Sequence, residues 1–194
     1  MEKIFANTTV LDLLFRAATS NPSKTYCKSA NHEFTYQQFI TACIKLSNEI
    51  SNKNINNERI GIFLPNSILF LISYFAILIS GNRPALLNYL LPDFALGKLI
   101  DNLEPSLLIS DKALLKSQSI IVKIEDYLEL DESSIDRTDF RCESTEVGAI
   151  LFSGGTTGIP KQINHSHKCI ISMVDRMEWG WPTTLNEKWL VVAP

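Results

Sequence analysis

Apolar positions first recur at a helical spacing. Val10, Leu13, Leu14, Ala17 and Ala18 fall on one face. Thr9, with Asp12 three positions on, is a capping-box pattern ahead of them. Asn21-Pro22 stops this helix, because the residue before a proline is pushed out of the helical region. The pattern then shortens into two strands around Tyr26 and Phe34, with polar residues 29–32 turning between them. Thr35 opens a second helix with Gln38 completing its box, and Phe39, Cys43, Leu46 and Ile50 form its apolar stripe. The Asn-rich stretch 51–58 is a loop.

Residues 59–64 are a buried strand, and Asn66 or Ser67 caps an apolar helix that ends at Gly81. Residues 83–87 form a short strand. Pro92 opens a helix to about Leu103, which Glu104-Pro105 ends. Residues 107–109 and 120–124 read as strands, with one or two helical turns over 111–117. The acid-rich stretch 125–146 lacks periodicity and is a solvated loop. Val147–Phe152 is again strand-like. Helices alternating with short, fully apolar strands predict an α/β fold: a layered, mostly parallel sheet flanked by helices on both faces.

No charge occurs between Arg59 and Arg83. A membrane span needs about 20 consecutive apolar residues, and Pro65-Asn66-Ser67 interrupts this run, so no integral membrane span is expected. The 194 residues carry a formal net charge of -3 without a basic face, which argues against nucleic acid as a partner. The four cysteines (27, 43, 142 and 169) form no C-x-x-C pair, which suits free thiols in a reducing, cytoplasmic setting. No leader-like segment opens the chain. His165 and His167 lack further ligands at metal spacing, so no metal site is expected; Ser166 is read as a helix cap and His167 as a first-turn residue without a catalytic role.

The chemistry concentrates in Ser153-Gly154-Gly155-Thr156-Thr157-Gly158-Ile159-Pro160-Lys161. Glycines allow backbone N–H groups to turn toward an anion. Ser153, Thr156 and Thr157 offer hydroxyl donors, and Lys161 a point charge. The combination is a phosphate-gripping loop. It is not a Walker loop, since Gly158 and Lys161 are separated and a proline intervenes. It is not a dinucleotide fingerprint either, because a strand-like Ile163-Asn164 precedes the next helix.

These nine residues resemble the Ser/Thr/Gly-rich loop of the AMP-forming, adenylate-forming superfamily, which includes acyl-CoA synthetases and aryl acid–AMP ligases. Ser166-His167 resembles the Thr/Ser-His that follows it. Upstream, Phe34-Thr35-Tyr36, Leu64-Pro65-Asn66-Ser67 and the set Gly81, Pro84 and Asn88 are similar to family segments in the same order. Gln162 departs from the glycine usual after the lysine. The Ser-Gly-Gly opening leans toward acyl-CoA synthetases or aryl acid–AMP ligases rather than nonribosomal-peptide domains.

The resemblance implies a two-step reaction. A carboxylic acid attacks the α-phosphate of ATP held with Mg2+, giving acyl-AMP, and a thiol such as CoA then takes the acyl group, as in fatty acid metabolism. It assigns Ser153, Gly154, Gly155, Thr156, Thr157, Gly158 and Lys161 to ATP phosphates, with no catalytic residue in this chain. The family's adenine, ribose and carboxylate contacts come later in its sequence. The chain is therefore expected to be an N-terminal portion: a first α/β subdomain over 1–145, then the loop and a truncated next subdomain over 146–194. Inactive alone, it would pair with the missing remainder of the synthetase. The alternative is a non-catalytic nucleotide- or partner-binding module.

Overall fold

The structure, a computed structural model, describes residues 8–113, 118–128, 146–153, 160–180 and 187. Its helices begin where short polar side chains take up orphan backbone donors. In α1 (Val10–Ser20), Thr9 Oγ1 accepts from the Asp12 amide at 3.1 Å and the Asp12 carboxylate accepts from the Thr9 amide at 2.6 Å. In α2 (Tyr36–Ser51), Thr35 and Gln38 make the same reciprocal pair at 3.2 and 3.0 Å. Between these helices β1 (Thr25–Lys28) and β2 (Glu33–Thr35) form an antiparallel hairpin.

β3 (Arg59–Phe63) leads into α3 (Ile68–Ile79), capped by Ser67 rather than Asn66: Ser67 Oγ accepts from the Phe70 amide at 3.3 Å. Gly81 then adopts a φ of 73°, a left-handed turn that a side chain would strain. β4 (Arg83–Leu86) follows, then α4 (Asp93–Leu103), β5 (Leu107–Ser110) and β6 (Ser119–Ile121). A 3-10 turn spans Ile124–Tyr127, and β7 (Val147–Phe152), β8 (Gln162–Ser166) and α5 (His167–Gly180) complete the described elements.

Six strands form one sheet in the order β6-β5-β3-β4-β7-β8, parallel throughout except for the antiparallel β7–β8 pair. This is the mostly parallel, helix-flanked sheet that the alternation predicts. Alternate residues sort the faces. Ile60 and Ile62 of β3, with Leu107 and Ile109 of β5, join the core under α1, α2 and α3. Phe63 and Leu108 point the other way, onto Leu96, Leu99 and Leu103 of α4. A Cβ on Gly61 would collide with the Leu108 side chain, so the α4 face closes only around a glycine there. α3 has no exposed residue, which explains why its sequence carries no polar face. Among the described residues no helix is long and apolar enough to cross a membrane.

Two boundaries differ from the sequence reading. The strand expected over 120–124 ends at Ile121, and the chain turns at Ile124 so that Tyr127 is buried against the core. Asp111 and Lys112 are not helical, and 114–117 lie outside the described residues.

Candidate functional site

The candidate loop leaves β7, whose Ile150 pairs with Ala85 of β4, and returns through β8. It therefore emerges at the carboxyl end of a parallel strand, where open α/β sheets present ligand sites. Its base is closed: the Ser153 N–H donates to the Lys161 carbonyl at 3.0 Å. That bond continues the ladder beyond the Phe152–Gln162 pair. Lys161 is exposed at the loop's exit, and Ser153 is half-buried at its entry. Gly154, Gly155, Thr156, Thr157 and Gly158 lie outside the described residues.

Gln162, which departs from the resembled pattern, has a visible use. Its side-chain amide donates to the Asn102 carbonyl in the last turn of α4 at 2.9 Å. A glycine there would leave this tie unmade. The glutamine thus fastens the loop's exit strand to the helix under the sheet.

The same end of the sheet carries a second group that periodicity alone does not flag. Tyr89, after β4, donates its hydroxyl to Asp111, after β5, at 2.9 Å. Lys112 Nζ stands 5.2 Å from the Tyr89 and Phe63 ring centroids, close enough for cation–π attraction. The hydrogen bond to Asp111 raises the Tyr89 pKa above the usual phenol value. The signal for this group lies in strand order: β3 sits between β4 and β5, so their carboxyl ends converge.

Beyond the loop, Ser166 caps α5 as expected, accepting from the Cys169 amide at 3.1 Å. His165 Nδ1 lies 3.6 Å from Cys169 Sγ. His167 is the first residue of α5, but it is buried, and Val10 N–H donates to its Nδ1 at 3.3 Å. Burial lowers its pKa, opposed by the Asp12 carboxylate. Among the described residues no three His, Cys, Asp or Glu side chains gather as a metal site.

A model of a family described as AMP-binding enzyme matches residues 14–194. Among curated relatives, the D-alanine–D-alanyl carrier protein ligase of Lactococcus lactis is 22% identical over 176 residues, covering 87% of this chain and 35% of that protein. The long-chain-fatty-acid–CoA ligase of Bacillus subtilis is 22% identical over 211 residues, covering 86% of this chain and 38% of that protein. The chain thus spans little more than a third of these relatives. Among solved structures, an o-succinylbenzoate coenzyme A synthetase from Bacillus subtilis in complex with AMP superposes with a TM-score of 0.78 at 16% identity, over 93% of this chain and 49% of that one. VinN with L-aspartate gives 0.79 at 18% identity, over 91% and 53%. At such identities these superpositions establish the fold.

Proposed function

The chain belongs to the AMP-binding enzyme family, and from that membership we propose that it supplies the phosphate grip of an ATP-dependent, carboxylate-activating enzyme. The observation that carries the reading is the loop base: Ser153 and Lys161 are bonded across it at the carboxyl end of a parallel strand. A strand end closed this way bounds a segment rich in glycines, hydroxyls and a lysine, the donor types that suit a polyanion.

Thr156 and Thr157 donate hydroxyl hydrogen bonds to terminal phosphate oxygens in this proposal, with Ser153 as a third hydroxyl at the entry. Gly154, Gly155 and Gly158 carry no side chain that would hinder an amide from meeting phosphate. Lys161 balances negative charge as pyrophosphate leaves. ATP, bound with Mg2+, supplies the adenylyl group that activates the carboxylate. CoA as the acyl acceptor is the finer part of the proposal; it is supported by the fatty-acid–CoA ligase among the relatives, while the carrier-protein ligase supports a protein-bound thiol.

Because the chain spans 35% and 38% of two relatives, we assign it the phosphate grip alone, with adenine, ribose and carboxylate contacts drawn from sequence matching their remainder. Catalysis by positioning needs both reactants held, so the chain alone should give negligible carboxylate-dependent exchange of pyrophosphate into ATP. The test is MgATP binding to the full chain and to the T156A/T157A double variant. Loss of two charge-assisted bonds, each about 1.5–3 kcal/mol, should weaken binding at least tenfold while circular dichroism is unchanged. Equal binding by both proteins would refute the loop assignment.

A further inference from the structure

The phosphate reading uses neither histidine beside Ser166, yet His167 is among the few polar side chains sealed in the interior, at 6% exposure. Its Nδ1 accepts the Val10 N–H, the first amide of α1, at 3.3 Å. An acceptor Nδ1 puts the proton of the neutral ring on Nε2, and Nε2 is buried without a hydrogen-bond partner among the described residues. The His167 amide donates to the Glu146 carbonyl, ahead of β7, at 3.3 Å. Gly148 of β7 lies against the ring: a Cβ there would stand 3.2 Å from both His167 N and Nδ1. One imidazole therefore sits at the junction of α1, β7 and α5.

We propose that His167 is a proton-operated tie: neutral, it holds the start of α1 against the loop-bearing hairpin, and protonated, it lets α1 go. Protonation turns Nδ1 into a donor facing the Val10 N–H donor, so the bond is lost rather than weakened. It also places a charge in the interior, against Gly148. Titratable groups on the elements around the ring are Asp12 and Arg16 on α1, Glu146 before β7, His165 on β8, and Lys168, Cys169, Asp175, Arg176 and Glu178 on α5. Of these, the Asp12 carboxylate is the one whose field favours the charged ring. That carboxylate is already engaged by the Thr9 amide at 2.6 Å and the Thr9 hydroxyl at 2.8 Å.

The sign follows from linkage. Burial holds the folded imidazole below its ordinary value of 6.5. The folded state then binds fewer protons than the released one just below that value. Docking is complete above pH 6.5 and is lost as pH falls through the depressed folded value. The strands that carry the phosphate loop are the ones released from α1. The inference rests on this junction alone and holds whatever the loop binds.

The test is amide hydrogen exchange at Val10 in the full chain from about pH 8 to pH 5, corrected for intrinsic exchange. In the wild type, protection should fall about tenfold for each pKa unit of depression. In the His167→Asn variant, Oδ1 takes the place of Nδ1 without titrating, and protection should stay level. Equal protection across the range in the wild type, or a parallel fall in the variant, overturns the proposal. If His167→Asn does not fold, an NMR titration of the wild type decides. The Val10 amide and the His167 Cε1–H must then move with one midpoint, and separate midpoints overturn it.

Discussion

α2 and α5 are helices of similar length, 16 and 14 residues, in opposite surroundings. α2 buries nine positions, including Phe39, Cys43, Leu46 and Ile50, between α3 and the first hairpin. α5 buries only His167 and Ile171, and leaves Met173, Val174, Met177 and Trp179 exposed. Apolar content does not separate them. Position does: α2 lies within the layer that covers one sheet face, whereas α5 follows the edge strand β8 and touches the rest through its first turn. The hairpin side joins the layered side through the β4–β7 pairing with Ile150 buried, and through specific ties such as the Tyr74 hydroxyl donating to the Gly148 carbonyl at 3.0 Å and Gln162 donating to Asn102. α2 is held by area and α5 by particular atoms.

That contrast can be tested in order of expected effect. Phe39→Ala strikes the region held by area. Its ring is fully buried, with centroids 4.4 Å from Tyr26 and 5.7 Å from Phe75. The cavity should cost about 3–5 kcal/mol in denaturant unfolding; a loss under about 1 kcal/mol would mean that this core relaxes freely. Gly148→Ala strikes the tied region. The added methyl meets Ile170 Cδ1 at 2.8 Å and the His167 backbone at 3.2 Å. Overpacking should cost about 1–3 kcal/mol, with exchange protection lost first at α5 and the start of α1. Uniform loss over α2 and α3 would show the two regions to be one cooperative unit.

Smaller effects sharpen the comparison. Thr35→Ala removes the acceptor for the Gln38 amide and should cost about 1 kcal/mol by thermal unfolding. Trp179→Ala removes the largest exposed side chain of α5, at 90% exposure. It should change stability by no more than about 0.5 kcal/mol. A larger loss by the same measurement would show that Trp179 is covered in solution.

Legibility in the sequence followed the range of the interaction. Thr9 with Asp12, and Thr35 with Gln38, act within one turn, so their helix starts could be read from four residues. The parallel sheet could be read from the run of short apolar strands, because each is buried on both faces. Asn82 could not. It is fully buried, accepts from the Glu58 amide at 3.0 Å and donates to the Ile55 carbonyl at 3.2 Å, so its importance exists only once two distant turns meet. His167 looks like a first-turn surface residue until α1 packs over it. The pairing of Tyr89 with Asp111 likewise depends on strand order. The loop's donor types could be listed because glycines, hydroxyls and a lysine are intrinsic to the residues; the bond from Ser153 to Lys161 was not spelled by either residue alone.

The parallel pairing of β4 with β7 joins Ala85 to Ile150, with α4, β5 and β6 lying between them in the chain. β3, α3 and β4, by contrast, close over a short stretch. Distant closure costs more chain entropy before any contact rewards it. The order of assembly follows. The layer around β3, β4 and β5 should gain protection first as the chain leaves the ribosome, and the strand that feeds the glycine loop should dock onto a scaffold already built. Pulse-labelled exchange during refolding would register this as late protection at Ile150 relative to Ile62. The strand that feeds the glycine loop is thereby the last of the parallel strands to be held in place.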